Sequence, residues 1–184
     1  AAPALMAVFA LFFVFVLAGV SFLRERSQGT LERLMTTPVG RGDILVGYLL
    51  GFLLFAAIQT LVILLFTILA LRVEYKGDLW QIFVLLMVLT VVAVNMGIFI
   101  STFARNEFQV VQFIPILFAP QVFLSGVIIP VDNMPGYFQA IAQVLPLRYA
   151  VDGLRGIMLS GETLADVALE LGVLAGFAAA FLVL

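Results

Sequence analysis

The sequence predicts an all-α, polytopic bundle of transmembrane helices, and three observations predict it. Apolar residues make up 64% of the 184-residue chain and charged residues 11%, against roughly 45–50% and 25% in soluble domains. Residues 5–23 are apolar except for Ser21, and residues 44–71 carry no charge. Each run is long enough for a hydrocarbon core of about 30 Å, which takes roughly 20 helical residues. Between them, residues 24–38 form a polar island with a local logic of its own.

Composition also removes whole classes of chemistry. The net charge is −2 and there is no basic tract, so nucleic acid is not an expected partner. Cysteine and histidine are both absent. No disulfide, thiolate or imidazole metal site is expected, and the commonest general base is missing. The chain starts at Ala1 without a Met and ends inside an apolar run at Leu184. No charged n-region or small-residue cleavage site marks the first run as a signal peptide. The sequence therefore reads as one truncated transmembrane domain, a piece of a longer protein.

The elements follow in order. The first span covers about 3–23. In the loop 24–43, Ser27-Gln28-Gly29 breaks the preceding helix and Thr30 is placed to N-cap a short new one. Glu32 falls in its first turn, where the helix dipole favours a negative charge. Leu31, Leu34 and Met35 share one apolar face at i, i+3 and i+4. Pro38 ends the helix, and Asp43 is placed to cap the next span. Spacing alone allows two readings of this helix, one lying on lipid headgroups and one docked on protein.

The second span, about 44–71, is 28 residues or roughly 42 Å as a helix. It must tilt or begin in the interface. The third span covers about 79–104 and contains Asn95. The fourth, about 108–129, contains Gln109, Gln112, Gln121 and Ser125, with Pro115 and Pro120 positioned to bend it. Gln121 and Ser125 share a helix face. None of these polar groups is ionisable, so no proton relay is expected. Most intramembrane amides make interhelical bonds, typically about 0.6 kcal/mol each, and Gln121, Ser125 and Asn95 are the candidates for contact with cargo. Gly47-x-x-x-Gly51, Gly97-x-x-x-Ser101 and Gly172-x-x-x-Gly176 read as close helix-packing faces.

Residues 130–160 are cut by Pro130, Pro135 and Pro146 into pieces too short to span. Gly136 to Leu145 and Leu147 to Leu159 are the expected short helices. In the second, Leu147, Ala150, Val151, Leu154, Ile157 and Met158 form an apolar face, while Arg148, Asp152 and Arg155 lie opposite at spacings that permit pairing. An ordinary outer loop and a re-entrant outer hairpin both fit, and the hairpin is favoured. The fifth span covers about 167–184, with Glu170 near its entry. Five of the nine basic residues fall in the 24–43 loop and at Arg105, which puts that side in the cytoplasm.

Glu25-Arg26-Ser27-Gln28-Gly29-Thr30-Leu31-Glu32-Arg33-Leu34, followed by Thr37-Pro38, resembles the signature loop of the permeases of the second type of ATP-binding-cassette exporter. Ser101-Thr102-Phe103-Ala104-Arg105 resembles the end of that family's fourth helix. Leu124-Ser125-Gly126 leading to Pro130, Met134-Pro135, Leu145-Pro146-Leu147-Arg148-Tyr149 and Leu154-Arg155-Gly156 resemble its outer hairpin and the approach to its last helix. Ser27 stands where the family usually has an acid. The resemblance implies six helices per subunit, with the first one absent here and five present. It implies that the island is a coupling helix docking on an ATPase through Glu25, Gly29, Thr30, Leu31, Glu32, Leu34, Met35 and Pro38.

The same resemblance implies a dimer of permease subunits in the plasma membrane, the inner membrane in a bacterium. Two ATPase domains would drive efflux of a hydrophobic or amphipathic substrate. No Gly-x-x-x-x-Gly-Lys-Ser/Thr loop occurs in the chain, so no cofactor is expected on it, and ATP and Mg would be held by the partner. A passive channel would need a charged ring or carbonyl filter. An intramembrane enzyme would need paired acids or an activated nucleophile at membrane depth. The sequence presents neither.

Overall fold

The computed structural model describes residues 2–36 and 38–183; the side chains of Leu31, Leu34, Met35, Arg41, Leu45 and Val183 fall outside that description. Eight α-helices follow one another: α1 (Ala2–Ser27), α2 (Thr30–Met35), α3 (Arg41–Leu65), α4 (Leu79–Phe103), α5 (Glu107–Leu124), α6 (Gly136–Ala142), α7 (Pro146–Arg155) and α8 (Ala168–Val183). Two of them run on into π-helical turns, α3 through Phe66–Ala70 and α7 through Gly156–Ser160. No strand occurs among the described residues. The all-α bundle is the expected fold class.

α1, α3 with its extension, α4 and α5 are each long and apolar enough to cross a membrane. α8 is apolar but has 16 residues, about 24 Å, and is shorter than a typical span. α4 is the central helix. Leu85, Leu86, Leu89, Val92 and Ala93 on it have no exposed surface, and it packs against α1, α3, α7 and α8. α3 is the opposite case. Leu50, Leu54, Phe55, Ile58, Leu61 and Val62 are all exposed on it. A helix with apolar residues on its outward face as well as its inward one belongs in lipid.

α1 and α4 cross in close backbone contact. A Cβ built on Gly97 would lie 2.6 Å from the Phe15 carbonyl oxygen and 3.0 Å from the Gly19 nitrogen. Of the three glycine-spaced motifs, only the one at Gly97 and Ser101 is packed in this way. At Gly47, Gly51, Gly172 and Gly176 a Cβ would meet nothing within 4 Å.

The fourth span ends earlier than expected, at Leu124 and not at 129. Ser125 is its C-cap and Gly126 turns left-handed at φ +76, a conformation that glycine adopts without steric cost. Pro115 and Pro120 both sit inside the helix.

Beyond Pro130, a 3-10 turn (Val131–Asn133) leads to α6 and then α7. Pro135 is the N-cap of α6, and Pro146 opens α7, where its missing N–H goes unmissed. The whole predicted apolar face of α7 is buried: Leu147, Ala150, Val151, Leu154 and Ile157 at 0% exposure and Met158 at 1%. α7 packs against α1, α4 and α8, so it is inserted in the bundle and does not float above it. The expected pairing of Arg148 with Asp152 is present at 3.7 Å. Arg155 is used differently: its guanidinium donates to the Gly126 carbonyl at 2.6 Å. It closes the turn after α5, because that orphan carbonyl lies nearer than the half-exposed carboxylate.

Candidate functional site

The polar end of the bundle gathers the end of α1, the whole of α2, the start of α3 and the link between α4 and α5. Long-range side-chain bonds draw these together. The Arg24 guanidinium donates twice to the Glu107 carboxylate, at 3.0 and 3.3 Å. This fork-to-fork geometry fixes orientation as well as distance. Arg26 donates to the Thr102 carbonyl at 3.3 Å, an orphan acceptor in the last turn of α4. The end of α1 is thereby clamped to both neighbours. The 24–43 and 105–107 loops lie on one side of the bundle. On the opposite end, the Lys76 backbone N–H donates to the Met158 carbonyl at 3.0 Å.

α2 forms over the expected residues, with a different start. Thr30 is not the N-cap but the first helical residue. The carbonyl of Gly29 accepts the first helical bond, from the Arg33 N–H at 3.1 Å. The Thr30 hydroxyl points back and donates to the Glu25 carbonyl at 2.8 Å. Gly29 turns the chain at φ +70, which is why the breaker there is glycine. At the far end, the N–H and hydroxyl of Thr36 both reach the Arg33 carbonyl, at 3.2 and 2.7 Å. Pro38 is exposed just beyond.

Glu32 and Arg33 are exposed. The apolar face expected of Leu31, Leu34 and Met35 lies on side chains outside the described ones. Asp43 does cap α3: from the third helical position its carboxylate accepts the Gly40 N–H at 3.2 Å. Glu25 is held by Tyr48, whose hydroxyl donates to its carboxylate, with the Tyr48 ring set between Phe22 and Phe52.

The three candidates for cargo contact are all buried. Asn95, 4% exposed, donates to the Ala178 carbonyl at 2.8 Å and ties α4 to α8. Gln121, 3% exposed, accepts from the Leu147 N–H at 3.3 Å and donates to the Met96 sulfur at 3.5 Å. It thus satisfies an orphan donor at the start of α7. The Ser125 hydroxyl is buried without a hydrogen-bond partner, while its N–H bonds the Gln121 carbonyl. In this conformation both amides serve helix packing.

Sequence reasoning missed the contacts that join distant residues. Arg24 and Glu107 are 83 residues apart, and nothing in either segment names the other. Tyr48 was readable in part, as an aromatic with a polar tip near the end of an apolar run.

Most of the chain is similar to known transport proteins. Residues 1–159 match the family described as ABC-2 type transporter. A probable multidrug ABC transporter permease, YbhS, of Escherichia coli is 30% identical over 148 residues, covering 80% of this chain and 39% of that protein. Linearmycin resistance permease protein LnrN of Bacillus subtilis is 30% identical over 162 residues, covering 88% and 42%. Nodulation protein J of Rhizobium leguminosarum is 32% identical over 160 residues, covering 84% and 59%. No solved structure matches. The chain spans about two fifths of the length of the multidrug and resistance permeases it matches. With the apolar helices, the signature loop and these matches together, the chain belongs to the ABC-2 type transporter family and is a multi-pass membrane protein.

Proposed function

We infer that this chain is the membrane-spanning part of a permease subunit that exports a hydrophobic or amphipathic substrate by alternating access, powered by ATP bound with Mg on a separate ATPase subunit or domain. Two such subunits enclose the path, in the inner membrane of a bacterium. The observation that carries this reading is α2. A short helix, fixed to the end of a central span by a two-residue turn, presents Glu32 and Arg33 to the side where basic residues concentrate. A channel or an intramembrane enzyme has no use for such a docking element. The relatives named as multidrug and resistance permeases support efflux as the direction of transport.

The test is a pull-down with the cognate ATPase alongside transport in vesicles. An interface this small rests on a few anchors, so truncating one matters disproportionately. Glu32→Arg also sets a positive charge against the helix N-terminus. The Leu34→Ala/Glu32→Arg double variant is expected to insert normally while ATPase association and transport both fall. Wild-type levels of both would reduce α2 to a headgroup-bound linker.

A further inference from the structure

Between α1 and α3, on the same end as α2, lies an open groove of about 730 Å³. Leu17 of α1 and Ile44, Phe52 and Phe55 of α3 give it apolar walls. Gly47 and Gly51 also line it. A Cβ at either would meet nothing within 4 Å, so their missing side chains leave it wide. Two carboxylates, Glu25 and Asp43, stand in the same lining. No base accompanies them among its described residues. The arginines flanking Glu25 in sequence are engaged elsewhere, Arg24 with Glu107 and Arg26 with the Thr102 carbonyl. Tyr48 orients the Glu25 carboxylate through its hydroxyl, and its ring stacks with Phe52 at 6.5 Å.

The chemistry of this lining selects by charge. Lipid tails are as apolar as leucine, so an uncharged apolar molecule gains little by leaving the bilayer for the groove. A positive centre gains, because carboxylates and aromatic faces both attract it. An anion of the same shape is repelled. We propose that the α1–α3 groove is a binding site for lipophilic organic cations, a bulky apolar body carrying one positive charge. Such cations become the cargo class only if the exporter reading above holds; the binding itself is read independently of it.

The experiment uses tetraphenylphosphonium and tetraphenylborate, which share four phenyl rings and differ in the sign of their charge. Each is equilibrated by dialysis against the permease in nanodiscs, with empty nanodiscs subtracted. Tetraphenylphosphonium is expected to bind saturably and tetraphenylborate not at all. Glu25→Gln/Asp43→Asn keeps both acceptor oxygens, for Tyr48 and the Gly40 N–H, and removes only the charge. It is expected to weaken phosphonium binding at least tenfold. Gly51→Leu is expected to do the same by filling the groove, at an unfolding midpoint no lower than that of the wild type.

Equal binding of the two ions, or an affinity unchanged in both variants, overturns the proposal. So does a Gly51→Leu protein that loses self-association but keeps phosphonium binding, since the face would then be a helix-packing surface. Loss of ATPase association in the α2 variant with phosphonium binding intact leaves the groove standing. Absence of phosphonium binding to the wild-type permease, with ATPase association lost in the α2 variant as expected, refutes the groove and leaves the exporter reading untouched.

Discussion

A methyl group at Gly97 should separate the two helices at the centre of the bundle. The added Cβ would sit 2.6 Å from the Phe15 carbonyl oxygen, 3.0 Å from the Gly19 nitrogen and 3.1 Å from the Ala18 Cβ. Comfortable contact begins near 3.5 Å, so the shortest of these is about 0.9 Å too close. Two of the three obstacles are backbone atoms, which cannot rotate away as a flexible side chain would. The strain must be relieved by moving α1 off α4, and overpacking of this kind costs about 1–3 kcal/mol. Gly19→Ala is the milder case, since its Cβ would lie 3.3 Å from the Gly97 carbonyl oxygen. At Gly51 the same change meets open space and should gain about 0.5–1 kcal/mol from helix propensity. Unfolding in mixed micelles, followed by circular dichroism against denaturing detergent, ranks the three. The expected order of stability is Gly51→Ala above wild type, then Gly19→Ala, then Gly97→Ala. A Gly97→Ala protein as stable as wild type would refute the close crossing of α1 and α4.

Three further outcomes are expected. The chain has no cysteine, so single cysteines at Gln28 and Asn106 should label from the cytoplasmic side and those at Lys76 and Asn133 from outside; labelling of Gln28 and Asn133 from one side would break the topology. Leu154 is 0% exposed, and Leu154→Ala should cost about 2–5 kcal/mol, whereas in a surface loop the same change would stay within about 0.5 kcal/mol in the same unfolding assay. Burial pushes the Asp152 carboxyl above its ordinary 3.8, with Arg148 and Arg155 pulling it back and Glu170 and Asp132 adding to the rise. The folded state therefore holds this proton more tightly than the unfolded one. Its contribution is full below pH 3.8 and is lost as pH rises through the raised value, so Asp152→Asn should flatten the stability profile just above 3.8.

Helices and their inward faces were legible because one-dimensional spacing maps directly onto a helix. The α7 face from Leu147 to Met158 is buried to the last residue, as its three-and-four spacing implied. The start of α2 was misread for a physical reason: a threonine after glycine has the composition of a cap whichever way its hydroxyl turns. Here it donates backward to Glu25 and leaves Gly29 to begin the helix. Arg155 shows the same limit. Spacing offered it Asp152, but the three-dimensional fold offered the Gly126 carbonyl, which no local pattern reveals. Motifs of small residues four apart were equally ambiguous, since the one at Gly97 and Ser101 is packed and the one at Gly47 and Gly51 opens onto a groove.

The joint between α1 and α2 has a mechanical consequence. Only Gln28 and Gly29 separate the helices, and three bonds brace the corner: the Gln28 N–H to the Arg24 carbonyl, the Gly29 N–H to the Arg26 carbonyl, and the Thr30 hydroxyl to the Glu25 carbonyl. A braced corner transmits torque where a loose loop would absorb it. α1 is 26 residues, a rod of about 39 Å, so a push on its short arm is delivered deep into the bundle. The clamps at Arg24 and Arg26 sit beside that corner and tie it to the ends of α5 and α4. If α2 is the docking element proposed above, its displacement reaches α1 through this corner, and α1 carries it to the close crossing at Gly19 and Gly97.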